Sequence, residues 1–277
     1  MRTDSARPGP VKSTGALALA LLACLALVAG GQTQTAPPST ARGVVRLRVR
    51  VKTDDSAKRP LGLSRKRFFL IKGSLDENKL LLQSIKQQPV VSRDCFYRAI
   101  GASEELITWL KQSDCESVYC REVETKDVEG AAAVPEFQHA VAAGEKEFGS
   151  RDLARKWLAV NLSDELRSGF YKRQQADLQT LLKQAEEISR AKALSVMTDR
   201  NGTAYFTDVE PGTYVISNLL PTEVGDRATF WNCEVKVKPG DLATEKPFLI
   251  SNPANKDKNI KCVAVEKLLP VCPTAHK

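Results

Sequence analysis

Histidine is nearly missing from this chain. Its 277 residues carry two, His139 and His276. Imidazole is the usual near-neutral acid–base group and metal ligand, and no pair of histidines stands at ligand spacing, so hydrolysis at a histidine-held zinc is excluded. There is no G-x-S-x-G elbow to present a serine nucleophile. Neither G-x-x-x-x-G-K-[ST] nor G-x-G-x-x-G occurs, which removes the usual phosphate-cradling loops. After residue 31 no apolar run approaches the ~20 residues that a membrane-spanning helix needs. Tandem repeats and low-complexity blocks are lacking there too. With these absences no catalytic residue, metal ligand or cofactor is expected, and the chain does not read as an enzyme.

What is present begins with an export signal. Arg2, Arg7 and Lys12 precede an almost wholly apolar run over residues 16–28, and Ala29-Gly30-Gly31 supplies small residues suited to a signal peptidase. Residues 1–31 are thus expected to be a signal peptide and residues 32–42 a flexible, proline-bearing leader. The protein is expected to be secreted or held in the cell envelope. Cys24 follows Leu21-Leu22-Ala23 in a loose lipobox, so lipid anchoring there is the minority alternative; residues 25–28 continue the apolar run past it, which a lipobox does not do. The formal charge is +8. Removing residues 1–31 takes away three cations and one acid, leaving about +6. For an exported basic chain nucleic acid is not the expected partner; an anionic polymer such as a polysaccharide, lipid headgroups or another protein fit better, and the charge also serves plain solubility.

Six cysteines remain beyond the leader: Cys95, Cys115, Cys120, Cys233, Cys262 and Cys272. An even count in an exported chain predicts disulfides rather than nucleophiles or metal ligands. Three fall before residue 195 and three after it, so full pairing requires at least one bridge across that division. The fifteen pairings stay open. Cys115-x4-Cys120 lacks knuckle spacing and has no histidine nearby, which argues against zinc.

The strand signals are strong. Val45, Leu47, Val49 and Val51 alternate with Arg46, Arg48, Arg50 and Lys52, a half-buried strand with a cationic outer face. That face reads either as an anion-binding stripe or as solvated charge that also discourages edge-to-edge pairing. Residues 68–71 read as a buried strand. Residues 195–218 hold two turn signals, Asn201-Gly202 and Pro211-Gly212, with β-prone segments at 204–209 and 213–217. Antiparallel strands joined by tight hairpins are the expectation. Strand-like segments follow at 228–237, 248–251 and 260–265.

This phrase resembles the carboxypeptidase regulatory-like family of transthyretin-like β-sandwiches, with Cna-B-like domains as near relatives. The matching residues are Thr198-Asp199-Arg200-Asn201-Gly202, then Tyr205-Phe206, then Pro211-Gly212-Thr213-Tyr214. The resemblance covers residues 43–73 and 196–250, under half the chain. The resemblance implies a sandwich of a kind that is usually a non-catalytic appendage, and the family name carries no implication of peptidase activity. The expected fold is α+β: an antiparallel transthyretin-like (Ig-like) sandwich over 43–73 and 195–277, interrupted by a mainly helical insert over 74–194.

Within that interval, helices are expected over 75–87, after Ser103, over 135–148, after Ser150 and, longest, after Ser163; residues 114–134 read as irregular and the segment through Cys95 as a loop. Adjacent pairs Glu104-Glu105 and Glu186-Glu187 point in different directions on a helix and make no converging dyad. Asp199, Asn201 and Asp208 miss the calcium-loop spacing, and local Asx-turn bonding accounts for them. Tyr205, Tyr214 and Trp231 could line a sugar-binding face, though aromatics at strand positions more often fill a core. The leading expectation is a secreted, non-enzymatic binding or structural module. A carbohydrate-binding envelope protein and an enzyme with an unrecognised site in the helical insert are the alternatives.

Overall fold

A computed structural model describes residues 41–52, 60–112, 115–241, 247–252 and 261–272. The expected signal peptide, Cys24 and nearly all of the leader lie outside these residues. A compact unit spans Ser39–Lys277. In chain order it contains β1 (Gly43–Val51), β2 (Leu61–Gly62), β3 (Arg67–Lys72), α1 (Lys79–Gln87), α2 (Arg93–Ala99), α3 (Glu104–Gln112), α4 (Thr125–Val128), α5 (Pro135–Phe148), α6 (Arg151–Lys156) and α7 (Phe170–Ser189). It continues with β4 (Leu194–Met197), β5 (Thr203–Val209), β6 (Gly212–Ser217), β7 (Thr222–Val224), β8 (Arg227–Val237), β9 (Phe248–Asn252) and β10 (Cys262–Leu268).

The architecture is α+β with two mostly antiparallel sheets. One sheet sets β1 between β9 on one side and β5 and β2 on the other; only the β1–β9 pairing is parallel. The other runs β10-β8-β6-β3-β4, with β7 on β8. Val45, Leu47, Val49, Phe206 and Ile250 from the first sheet meet Phe68, Leu70, Ile216 and Trp231 from the second in a shared apolar core. That arrangement is compatible with a β-sandwich.

Strand β3 explains how the helices join. Phe68 and Leu70 point into the core between the sheets, whereas Phe69 and Ile71 meet Leu81 and Ile85 of α1 and Leu178, Leu181 and Ala185 of α7. A strand buried on both faces needs apolar residues in unbroken succession, which is the run at 68–71. The remaining helices, with Phe170 at the start of α7, enclose a third cluster around Tyr97, Leu106, Trp109 and Phe137.

Helix starts follow the expected chemistry. Ser103 Oγ accepts from the Leu106 N–H at 3.1 Å, and Ser150 Oγ from the Leu153 N–H at 3.4 Å. Pro135 opens α5, where its missing N–H costs nothing. Ser163 Oγ accepts from the Leu166 N–H at 3.3 Å, but a π-helical turn, Glu165–Gly169, intervenes before α7. Two expectations are corrected. Cys95 lies on helix α2, not in a loop; the seven-residue helix is too short to write a clear apolar period. Residues 114–134 hold the short helix α4, with Glu124 and Asp127 forming a reciprocal capping box.

The two turns of the central phrase are the larger correction. Strand β4 pairs with β3, β5 with β1, and β6 with β3 and β8. Each turn therefore carries the chain from one sheet to the other and is not a two-strand hairpin. At the first turn only Gly202 takes positive φ, at +74°, whereas a two-residue hairpin of the Asn-Gly kind usually has both central residues there. Asp199 Oδ1 accepts from the Asn201 and Thr203 N–H groups, both at 2.8 Å. A Cβ on Gly202 would lie 2.4 Å from the Val49 carbonyl oxygen. Glycine lets this turn press against β1, and the Gly202 carbonyl accepts from the Val49 N–H at 2.7 Å.

Asn218 closes the end of β6. Its Nδ2 donates to Thr222 Oγ1 at 3.1 Å and to the Thr229 carbonyl at 2.9 Å, while its Oδ1 accepts from the Trp231 N–H at 2.9 Å. Asn218→Ala would leave a buried N–H and a buried carbonyl without this partner, and should cost about 2–4 kcal/mol in urea unfolding.

Tyr97 supplies a pH test of the helical core. Its ring is fully buried and its hydroxyl donates to the Glu116 carbonyl at 3.2 Å. Burial pushes the phenol up from 10.0 to about 12, opposed by nearby Arg93 and assisted by Glu116. Because the folded value is raised, the associated stability is fully present below pH 10 and lost as pH climbs from 10 towards 12. Phenolate absorbance and circular dichroism should show Tyr97 ionising together with unfolding, and Tyr97→Phe should decline less steeply over the same interval.

Candidate functional site

Among the described residues, β1 carries a row of like charge with no carboxylate paired to it. Its apolar residues fill the core between the sheets, so Arg46, Arg48 and Arg50 emerge on the opposite face. Successive arginines are about 6.5–7 Å apart along the strand, twice the rise per residue. Register brings Tyr205 of β5 opposite Arg46, Thr203 opposite Arg48, Leu249 of β9 beside Arg48, and Ser251 beside Arg50. None of these neighbours is acidic.

Local contacts hold the stripe in place. The Arg46 guanidinium lies 5.8 Å from the centroid of the Tyr205 ring, a cation–π arrangement. Arg50 Nη1 donates to the Pro60 carbonyl at 3.3 Å. The Nε atoms of Arg46 and Arg48 are buried and have no hydrogen-bond partner. Among the described residues no carboxylate pairs with Arg46, Arg48 or Arg50; the nearby Asp208 is held by Arg42 at 2.5 Å. Lys52 continues the series just past the strand and is exposed.

The three aromatic candidates separate. Tyr205 is half exposed on this outer face. Trp231 is fully buried between the sheets, its ring 6.1 Å from that of Phe68 and its Nε1 donating to the Ser251 carbonyl at 3.3 Å. Tyr214 is also buried, and its hydroxyl donates to the Glu210 carbonyl at 2.9 Å. Trp231 and Tyr214 are therefore core residues and share no ligand face with Tyr205. Strand alternation decides this: each points inward, and Tyr205 points out.

All six described cysteines are paired: Cys95–Cys272, Cys115–Cys120 and Cys233–Cys262. The first joins helix α2 to the segment after β10, the bridge that the parity argument required. The second closes a short loop in the helical region, and the third links directly opposed residues of β8 and β10. None offers a thiol nucleophile.

A surface cavity of about 360 Å³ lies along α3 and α4, lined by Glu104, Glu105, Trp109, Lys126 and Asp127. Two of its carboxylates have structural work. Glu104 binds Arg98 at 2.8 Å, and Asp127 accepts from the Glu124 N–H at 2.8 Å. Among the described residues, no group of three or more histidine, cysteine or acidic side chains is disposed to hold a metal ion. No helix among them is long and apolar enough to cross a membrane.

The chain matches no family model and no curated protein. A structure of the pilus backbone protein of Streptococcus pneumoniae is similar over 62% of this chain and 30% of that one, with 9% identity and a TM-score of 0.16. The chain thus spans less than a third of that protein, and a likeness this slight carries no argument. The two sheets are compatible with a β-sandwich.

The division among the aromatics is measurable. Trp231→Ala should destabilise the protein by about 3–5 kcal/mol. Tyr205→Ala should stay within about 0.5 kcal/mol, as an exposed position permits. Chemical denaturation of the two variants reads both values.

Proposed function

We propose that this chain is a secreted, non-enzymatic binding or structural module acting at or outside the cell surface. In this reading a transthyretin-like sandwich of the carboxypeptidase regulatory-like kind carries a helical insertion between β3 and β4. The observation that supports it best is the set of three disulfides, one tying the helical region to the end of the last sheet. Disulfides persist in oxidising compartments and are rare in the cytosol of mesophiles. A bridge closing a loop of 177 residues stabilises chiefly by restricting the unfolded chain. That suits a module working in a dilute, protease-exposed medium. The apolar N-terminal run with its small-residue end points to the same compartment.

The lack of enzymatic activity is part of the proposal. Its support is chemical: both the cysteines and two carboxylates of the cavity along α3 and α4 are already engaged. An enzyme with a site in the helical region is the competing reading, and turnover of an ester, peptide or glycoside substrate that disappears with Glu105→Gln would establish it.

Export is tested by expressing the full sequence and recovering the mature product for intact mass and non-reducing peptide mapping. The expected outcome is a chain beginning after residue 31, with the three pairs named above and no free thiol. Free thiols would overturn the export reading. A lipid mass on a chain beginning at Cys24 would make it an anchored lipoprotein instead.

A further inference from the structure

We propose that the outer face of the β9-β1-β5 sheet binds a linear acidic polysaccharide through Arg46, Arg48 and Arg50, with Tyr205 as a platform for a sugar ring. This deepens the binding-module reading and rests on it for the extracellular setting.

Two ordinary explanations of the stripe fail on this structure. Charges on an edge strand block unwanted pairing, but β1 is flanked by β5 and β2 on one side and, over Leu47–Val51, by β9 on the other, so Arg48 and Arg50 do not lie on an edge. A solvated surface normally intersperses charges of both signs, whereas the outward neighbours of these arginines are Tyr205, Thr203, Leu249 and Ser251. Like charges at neighbouring positions of one sheet face repel. The chain therefore holds three cations close together and supplies no carboxylate from the described residues to balance them.

The form of the site selects the ligand. Guanidinium groups present planar forks that match carboxylate and sulfate oxygens in pairs. Their regular spacing along an extended strand suits a ligand that repeats its charge along a line. The Nε donors of Arg46 and Arg48 are closed to solvent and have no acceptor within the fold, so an oxyanion would reach them only as the two side chains swing outward. Tyr205 is half exposed beside Arg46, offering an apolar ring face and a hydroxyl together. A lipid surface fits less well, because Tyr205 and Leu249 are the only large apolar groups among those neighbours. Single-stranded nucleic acid is ordinarily held by several successive aromatic platforms, and among the described residues beside these arginines there is one, Tyr205.

The test uses the mature protein with its three disulfides verified. Probes are polygalacturonate and heparin, neutral dextran, duplex DNA, and phosphatidylcholine vesicles containing phosphatidylglycerol. Wild-type protein should bind both acidic glycans and not dextran. The R46Q/R48Q/R50Q variant should lose at least about tenfold in affinity, and its salt dependence should fall by about three counterions. K79Q/K146Q/K236Q, which removes the same charge from exposed lysines elsewhere, should stay within about twofold of wild type. R46K/R48K/R50K should fall between wild type and the glutamine triple, because it keeps charge and loses the fork. Tyr205→Ala should weaken glycan binding and leave vesicle binding unchanged.

Thermal melting accompanies each variant. Relief of repulsion should keep the glutamine triple at or above the wild-type melting temperature. If that triple unfolds, Arg48→Gln alone carries the comparison. The proposal is overturned if wild type binds neither glycan, if both glutamine triples weaken alike, or if DNA or vesicles bind as tightly and depend equally on the three arginines. Export and disulfide mapping stand apart from these readouts. Failure of glycan binding in an exported, fully bridged protein rejects this site alone, and a protein with free thiols rejects the compartment whatever it binds.

Discussion

Burial of β3 on both faces is the constraint on which the rest of this structure depends. Phe68 and Leu70 face the other sheet, and Phe69 and Ile71 face α1 and α7. Each large side chain so buried contributes about 1.5–3 kcal/mol of transfer free energy. Helices α1 and α7 begin and end the excursion between β3 and β4, and both pack on that outer face. Phe230 of β8 joins the same cluster from one residue before Trp231, which points the other way. The helical region therefore does not hang from the sheets by its two chain crossings. It shares a core with them, and Cys95–Cys272 adds a covalent tie from α2.

What could be read from sequence followed how local its physical cause was. The alternation in β1 encodes its own burial, so the strand and its cationic face were legible residue by residue. The unbroken apolar run of β3 announced burial, yet period alone could not name what lay on its second face. Helices α3, α5 and α6 were legible because Ser103, Pro135 and Ser150 mark their starts through local hydrogen bonding or a harmless missing donor. Helix α2 was not, since seven residues span too few turns for an apolar stripe to stand out. Asn201-Gly202 does mark a turn, whereas Gly212 is the first residue of β6 and the left-handed residue of that connection is Asp208, at φ +60°; which sheet receives the next strand is decided by partners far away in sequence. Gly202 illustrates this. Its need for glycine comes from Val49, about 150 residues earlier, as much as from its own φ.

The candidate site shows the same limit. Tyr205, Tyr214 and Trp231 look alike as strand aromatics, and only the assignment of strand faces separates one surface ring from two core rings. Cysteine parity required a bridge across residue 195, and chemistry alone left its partners open. The structure joins Cys95 to Cys272 and keeps the other two pairs within their own regions.

The position of β1 in its sheet changes the meaning of its charges. On an edge strand, a row of arginines would be sufficiently explained by protection against pairing. Over Leu47–Val51, where β1 has a strand on each side, Arg48 and Arg50 protect nothing, because pairing with neighbours is already made. The inward residues Val45, Leu47 and Val49 anchor the strand tightly enough to tolerate the repulsion outside. A rigid, core-anchored strand also fixes the spacing of its outward side chains better than a loop could, which lowers the ordering cost of meeting an extended ligand. The hydrophobic alternation that builds the core thus sets the geometry of the cationic face, and a one-residue slip in register would abolish both together.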